Sequence, residues 1–284
     1  LNDLLIDLSF SEDIGDGDHT TLCCIPEDAM GKSQLIIKED GILAGIRIAK
    51  EVFHRFDASM QVQVLIEDGS HVKKGDVAMI VTGKVRSLLQ TERLMLNIMQ
   101  RMSGVATQTA RYVKELEGLK TRVLDTRKTT PGMRVLDKMA VKLGGGENHR
   151  MGLFDMVILK DNHIDFAGGI TAAVEQTKAY LEAKGKRIPI EVEVRSLDDV
   201  REVLCLDGVD RIMLDNMTPD MLPEALEMIP SFIETEISGG VSLDTIRAYA
   251  TVSTVRKPDF ISVGRITHSA VTADLSMRIA KESL

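Results

Sequence analysis

Met156-Val157-Ile158-Leu159-Lys160-Asp161-Asn162-His163 is a short apolar run that ends in a cation, an acid, an amide and an imidazole. The pattern repeats through the second half of the chain. Further runs are Val123-Leu124-Asp125, Ile188-Pro189-Ile190-Glu191-Val192, Arg211-Ile212-Met213-Leu214, Phe232-Ile233-Glu234-Thr235-Glu236 and Phe260-Ile261-Ser262-Val263. Amphipathic stretches separate them, and Ser196-Leu197-Asp198-Asp199, Thr218-Pro219-Asp220 and Ser242-Leu243-Asp244 read as helix starts. Alternating strand and helix predicts a parallel sheet, either doubly wound or curled into a barrel. The polar groups decide between these. The runs lead into Asp125-Thr126-Arg127-Lys128, Lys160 to His163, Glu193, Asp215-Asn216, Ser238-Gly239-Gly240, and Gly264 to His268. A barrel gathers its chemistry at the carboxyl ends of many strands, whereas a doubly wound sheet concentrates it at one switch point. Gly144-Gly145-Gly146 follows a helix-like stretch instead of leading from strand into helix, so the dinucleotide fingerprint is missing. The expectation is an α/β fold containing a barrel.

The first hundred residues have another rhythm. Ser33 to Lys38 and Met60 to Ile66 alternate like strands, with a short helix over Ile48 to Phe56 between them. Glu67-Asp68-Gly69-Ser70 and Lys73-Lys74-Gly75-Asp76 are turn signals ahead of a strand from Val77 to Thr82. Ser87, with Gln90 three residues on, reads as a capping box. It opens a helix with an apolar stripe of Leu88, Leu89, Met95, Leu96, Met99 and Met102, and Gly104 is its expected stop.

The chain has 284 residues, room for one large domain or two modest ones. Its net charge of -8 argues against nucleic acid or an anionic membrane as partner, and makes local clusters of cations more telling. No apolar run approaches the roughly 20 residues needed to span a bilayer. Cys23, Cys24 and Cys205 form neither a disulfide framework nor a metal-binding pair, which suits a reducing cytoplasm.

The densest constellation is Asp125-Thr126-Arg127-Lys128-Thr129-Thr130-Pro131-Gly132 with Gly144-Gly145-Gly146-Glu147-Asn148-His149-Arg150. Arginine offers a rigid fork to carboxylate or phosphate, and lysine a mobile charge. A solvated basic loop is the bland alternative. An anion site is favoured because the cations sit at a strand end beside glycines that let backbone amides approach an anion. Lys160 is delivered to the barrel mouth by its apolar run. Glu193 and Asp215 end the next two strands, which suits magnesium held by carboxylates and substrate oxygens. Glu191 points the same way as Glu193, so only the strand-end position selects Glu193. Ser238-Gly239-Gly240 before a capped helix would cradle phosphate, with Gly264 and His268, at the start of the last helix, as a second half. Arg93 lies off the apolar stripe of its helix and reads as a surface salt-bridge residue.

The order of these motifs resembles the quinolinate phosphoribosyltransferase family along essentially the whole chain. The resemblance is carried by Glu12-Asp13-Ile14-Gly15, Gly17-Asp18, Thr20, Glu92-Arg93, Leu96-Asn97 and Ser103 to Thr107. It continues through Asp125 to Arg134, Gly144 to Gly146, Asn148-His149-Arg150 and Leu159 to His163. Glu191 to Val194, Leu214-Asp215-Asn216, Ser238-Gly239-Gly240 and Thr267-His268-Ser269 complete it. It implies an α+β open-sandwich domain over residues 1–104 and an incomplete α/β barrel over 105–284. It implies a homodimer, or a hexamer built as a trimer of dimers, in which Arg93 completes the neighbour's site. The implied reaction moves phosphoribosyl from phosphoribosyl pyrophosphate to quinolinate with decarboxylation. By the same resemblance Arg127, His149, Arg150 and Lys160 surround the two quinolinate carboxylates. Lys128 and Lys160 face the phosphates, Glu193 and Asp215 serve the ribose hydroxyls and Mg2+, and Ser238, Gly239 and Gly264 receive phosphate, with Thr126, Gly240 and His268 also at the substrate. Glu147 departs from the family pattern, and its charge would soften the anion site.

Two rival readings remain at this point. A phosphoribosyltransferase for a monoacid would not need paired cation sites. A carrier role is suggested by Asp68 to Asp76, which is similar to the turn of biotinyl and lipoyl domains, but the expected modifiable lysine hairpin is missing.

Overall fold

The computed structural model describes residues 2–279. Its first elements are α1 (Asn2–Ile14), α2 (His19–Cys24), β1 (Met30–Ile37), β2 (Gly41–Ile42), α3 (Ile46–Phe56), β3 (Gln61–Val64), β4 (His71–Val72), β5 (Val77–Lys84) and α4 (Val85–Glu115). Next come β6 (Arg122–Leu124), α5 (Arg134–Leu143), β7 (Val157–Leu159), α6 (Asp161–Ala167), α7 (Ile170–Ala183), β8 (Ile190–Val194) and α8 (Leu197–Leu204). The rest are β9 (Arg211–Asp215), α9 (Leu222–Met228), β10 (Glu234–Ser238), α10 (Ile246–Ala250), β11 (Phe260–Ser262), α11 (Arg265–His268) and β12 (Leu275–Ile279). Two compact units result. One holds the residues up to Ala110, Thr129–Gly145 and those from Ile266 onward, and the other holds Arg111–Lys128 and Gly146–Arg265.

The first unit is built on an antiparallel sheet ordered β12-β1-β5-β3, with a small β2-β4 ribbon. Leu35, Ile37, Met79 and Val81 are buried on it, and α3 buries Ile48, Ala49, Val52 and Phe53. That helix starts earlier than the sequence suggested because its cap comes from elsewhere. The Asp68 carboxylate accepts the backbone N–H groups of Gly45, Ile46 and Arg47 at 2.7, 2.9 and 3.1 Å.

Both expected ends of α4 are wrong. Ser87 does not cap it, and its hydroxyl donates instead to Asp57 Oδ2 at 2.7 Å. Gly104 does not stop it either. A Cβ there would lie 2.1 Å from the carbonyl oxygen of Val271, so glycine serves the close passage of residues 271–272. A mid-helix glycine costs about 1 kcal/mol against alanine, a cost this close approach explains.

The second unit is a six-stranded parallel sheet ordered β6-β11-β10-β9-β8-β7. Its strands are the six apolar runs. They follow chain order around a ring with a single break between β6 and β7. Flat, β6 and β8 would lie about 19 Å apart, at roughly 4.8 Å per step. His149 abolishes that distance: its backbone N–H donates to Asp125 Oδ1, just past β6, at 2.8 Å, and its ring reaches Glu191 on β8 at 3.0 Å and Glu236 on β10 at 3.2 Å. The sheet therefore curls into an open barrel. Glu147 pairs with Leu124 on the free edge of β6.

Ser196 caps α8 as the sequence indicates, its hydroxyl accepting the Asp199 amide at 3.1 Å while Asp199 reaches back to the Ser196 amide. The other two start signals open turns, not helices. Thr218 O accepts the Met221 amide before α9, and Ser242 O accepts the amides of Thr245 and Ile246 before α10. Among the described residues no helix is long and apolar enough to cross a membrane.

Candidate active site

Strand register sets which side chains share the barrel interior. Glu191 on β8 is level with Arg211 on β9, and Glu193 with Met213. Glu234, Glu236 and Ser238 on β10 are level with Arg211, Met213 and Asp215. With period two these residues point one way, so Glu193, Asp215 and Ser238 come together at the carboxyl ends.

At that rim Lys160, just past β7, sets its Nζ 2.9 Å from Glu193 Oε2. His163 plays a local part, its Nδ1 accepting the Lys160 amide at 3.1 Å at the start of α6. Asp215 Oδ2 accepts Asn216 Nδ2 at 2.7 Å, and the Asn216 amide donates to Ser238 O at 2.9 Å. Asn216 has φ +52°, a left-handed conformation unusual outside glycine. Gly239, at φ +102°, leaves room for it, since a Cβ would lie 2.2 Å from Asn216 Oδ1. Ser238, Gly239, Asn216 and Asp215 thus interlock, and Gly240 faces open space. Because α10 starts only at Ile246, this cradle is a strand-end turn and not the expected helix end.

Arg127 and Lys128 are exposed beyond β6, where the Lys128 amide donates to Thr126 Oγ1 at 3.0 Å. Arg150 is half-buried. One of its terminal N–H groups donates to Met156 O at 3.1 Å, while its buried Nε has no partner. Burial, followed by the neighbouring Arg127 charge, lowers its pKa. Two guanidinium groups that repel each other, one with an unsatisfied buried donor, form a site that an anion would stabilise.

The glycine run plays a different part from the one expected. The Gly144 and Gly145 amides donate to Ala140 O and Lys142 O, and a Cβ on Gly144 would meet Ala106 O at 2.3 Å. This is helix packing, with neither amide left for an anion. Gly264 follows β11 and is half-buried. His268 closes α11 instead of opening it, with its Nδ1 2.6 Å from Ser269 Oγ. His268 belongs to the first unit, as does Arg93, which is exposed on α4.

Sequence reasoning named His149 for the substrate but missed its buried partners inside the barrel. His149, Glu191 and Glu236 are buried together, and Arg211 lies 3.4 Å from Glu236 while also pairing with Glu234 at 2.6 and 3.0 Å. His149 Nδ1 accepts the Arg150 amide at 2.7 Å. Burial alone would lower the His149 pKa, but the two carboxylates on Nε2 outweigh it and push it up to about 9. Burial, then the Glu236 charge, pushes Glu191 up to about 7. Burial would also raise Glu236, yet His149 and Arg211 hold it below the usual range. With the Arg150 amide on Nδ1, the ring turns its Nε2 toward the two carboxylates. These three side chains have donor atoms within 4.8 Å of one another, a spacing that suits a metal ion, but Arg211 already supplies their counter-charge. The available signal was alternation: Glu191-Val192-Glu193 and Glu234-Thr235-Glu236 each put two acids on one strand face.

Cations and small residues gathered at the strand ends of an α/β barrel are the arrangement of a barrel enzyme. Two family models match: quinolinate phosphoribosyl transferase, N-terminal domain, over residues 18–103, and its C-terminal domain over residues 105–278. The chain belongs to the quinolinate phosphoribosyl transferase family. It is 41% identical to the chloroplastic nicotinate-nucleotide pyrophosphorylase (carboxylating) of Oryza sativa subsp. japonica, covering 98% of this chain and 77% of that one. A probable nicotinate-nucleotide pyrophosphorylase (carboxylating) of Bacillus subtilis is 38% identical, with 97% and 92% covered. The crystal structure of NadC from Streptococcus pyogenes superposes with a TM-score of 0.90 at 37% identity, covering 98% and 97%.

Proposed function

We propose that the protein transfers phosphoribosyl from phosphoribosyl pyrophosphate to the ring nitrogen of quinolinate, releasing pyrophosphate and carbon dioxide and leaving nicotinate mononucleotide. The observation that carries this reading is Arg150, whose half-buried guanidinium keeps an unpaired Nε–H beside the Arg127 charge, an arrangement that suits a carboxylate of the substrate. Lys160 stands between the substrates, held on Glu193 yet half-exposed. Lys128 faces phosphate, and Ser238, Gly239, Gly240 and Gly264 receive the ribose phosphate.

The pyridine nitrogen attacks the anomeric carbon as the bond to pyrophosphate breaks, and Lys128 and Lys160 stabilise the departing charge. The ring nitrogen is then quaternary and draws in the electrons left when the adjacent carboxylate departs as carbon dioxide. A solvent proton replaces it. The arginines contribute mainly positioning and charge complementarity. Glu193 and Asp215 end adjacent strands on one face of the sheet, a donor pair that fits magnesium bound with substrate oxygens. Magnesium, when bound, supplies positive charge for the pyrophosphate.

The active assembly is a homodimer or larger, with Arg93 entering the neighbour's site, and the three free cysteines suit the cytoplasm. The test is turnover with phosphoribosyl pyrophosphate, magnesium and either quinolinate or nicotinate. Pyrophosphate and carbon dioxide should appear with quinolinate, and equal turnover of nicotinate would overturn the decarboxylating assignment.

A further inference from the structure

The interior of a small barrel is ordinarily filled by branched apolar side chains. Here its layers include Glu191, Glu236 and Arg211, all buried, and the His149 ring inserted among them. Burying such groups is costly unless they are paired, and replacing an ion cluster by hydrophobic residues is often neutral or stabilising. Stability alone therefore does not account for the cluster.

Its geometry offers another account. Both ring nitrogens of His149 face protein groups: Nε2 lies 3.0 Å from Glu191 and 3.2 Å from Glu236, and Nδ1 accepts the Arg150 amide at 2.7 Å. The His149 amide is fixed on Asp125 at 2.8 Å. Arg150 is thus the next residue of a backbone pinned at two successive amides. Its guanidinium, anchored on Met156 O, keeps a buried Nε–H unpaired.

We infer that Glu191 and Glu236 are positioning residues of the anion site: they seat the His149 ring inside the barrel, and the ring holds the Arg150 amide and so aims the Arg150 guanidinium at the quinolinate carboxylate. This rests on the proposed reaction.

The test is a double-mutant cycle with Glu236→Gln and His149→Ala, read as separate KM values for quinolinate and for phosphoribosyl pyrophosphate. Glu236→Gln leaves Arg211 with its two bonds to Glu234, and far-UV circular dichroism and thermal unfolding establish that the variant is folded. Its KM for quinolinate should rise roughly tenfold or more, the scale of a displaced positioning group, with the KM for phosphoribosyl pyrophosphate changed less than about twofold. In the His149→Ala background Glu236→Gln should add nothing, because its effect runs through the ring. Glu191→Gln, a second variant should the first fail to fold, should show the same split. Equal changes in both KM values, or full additivity in the cycle, would overturn the positioning role. Absence of quinolinate turnover by the wild type would instead remove the reaction on which the role depends.

Discussion

Arg101 and Asp137 form a two-pronged pair: Arg101 Nε and one terminal nitrogen donate to the two Asp137 oxygens at 2.9 Å each, and Asp137 is fully buried. Asp137 also accepts the Thr130 amide at 3.2 Å, and Arg101 donates to Thr267 O at 2.7 Å. One ion pair therefore fixes a residue two places after Lys128 and another just before His268. Breaking a buried pair leaves an uncompensated charge, which costs far more than the pair's net worth. Asp137→Ala should lower the unfolding free energy by about 3 kcal/mol in guanidinium titration. A loss below about 1 kcal/mol would show that Arg101 finds another partner.

Gly104→Ala sets two effects against each other. Helix propensity favours alanine by about 1 kcal/mol. The new methyl, however, would sit 2.1 Å from Val271 O, a backbone atom that cannot swing aside. Overpacking costs about 1–3 kcal/mol, and a clash with backbone lies at the upper end, so after the helix gain of about 1 kcal/mol the variant should still be less stable by about 1–2 kcal/mol. A raised melting temperature would refute this.

These two glycine and ion-pair positions show what the sequence could reveal. The six barrel strands were legible because each is an apolar run ended by a polar group, a local signal. So were the cations at their ends and the cap at Ser196. Gly104 and Gly144 misled because a local reading treats glycine as a stop or an anion nest, while here each admits a backbone distant in sequence. The His149, Glu191 and Glu236 cluster stayed hidden for the same reason: strand alternation gives a face, but only curling of the sheet brings β6, β8 and β10 around one ring. The short turns before α9 and α10 carried start signals that belong to the turn itself.

Gly239→Ala should separate function from folding. At φ +102° any side chain is strained, at a cost of about 1–3 kcal/mol, and this Cβ would strike Asn216 Oδ1 at 2.2 Å. Asn216 holds Asp215 and Ser238, so the whole rim turn must move. The variant should fold yet lose turnover by roughly a hundredfold, the scale for a shift of about 1 Å in a positioned group. Turnover within twofold of the wild type would detach this turn from the site.

The proton held in the barrel gives a pH dependence whose sign is fixed. His149 is raised from 6.5 to about 9, and Glu191 from 4.5 to about 7. Each binds its proton more tightly in the fold than in the unfolded chain. Its contribution is complete below the unfolded value and is lost as pH climbs through the folded one. Glu236 is lowered, so its contribution is present above 4.5 and fails only in acid, outside this window. Resistance to urea should therefore decline from about pH 4.5 to 7 through Glu191, and on from about pH 6.5 to 9 through His149. His149→Gln, which has no titrating ring, should show a flatter profile across that range. A wild-type profile as flat as the variant's would mean that His149 binds its proton no more tightly in the fold than in the unfolded chain.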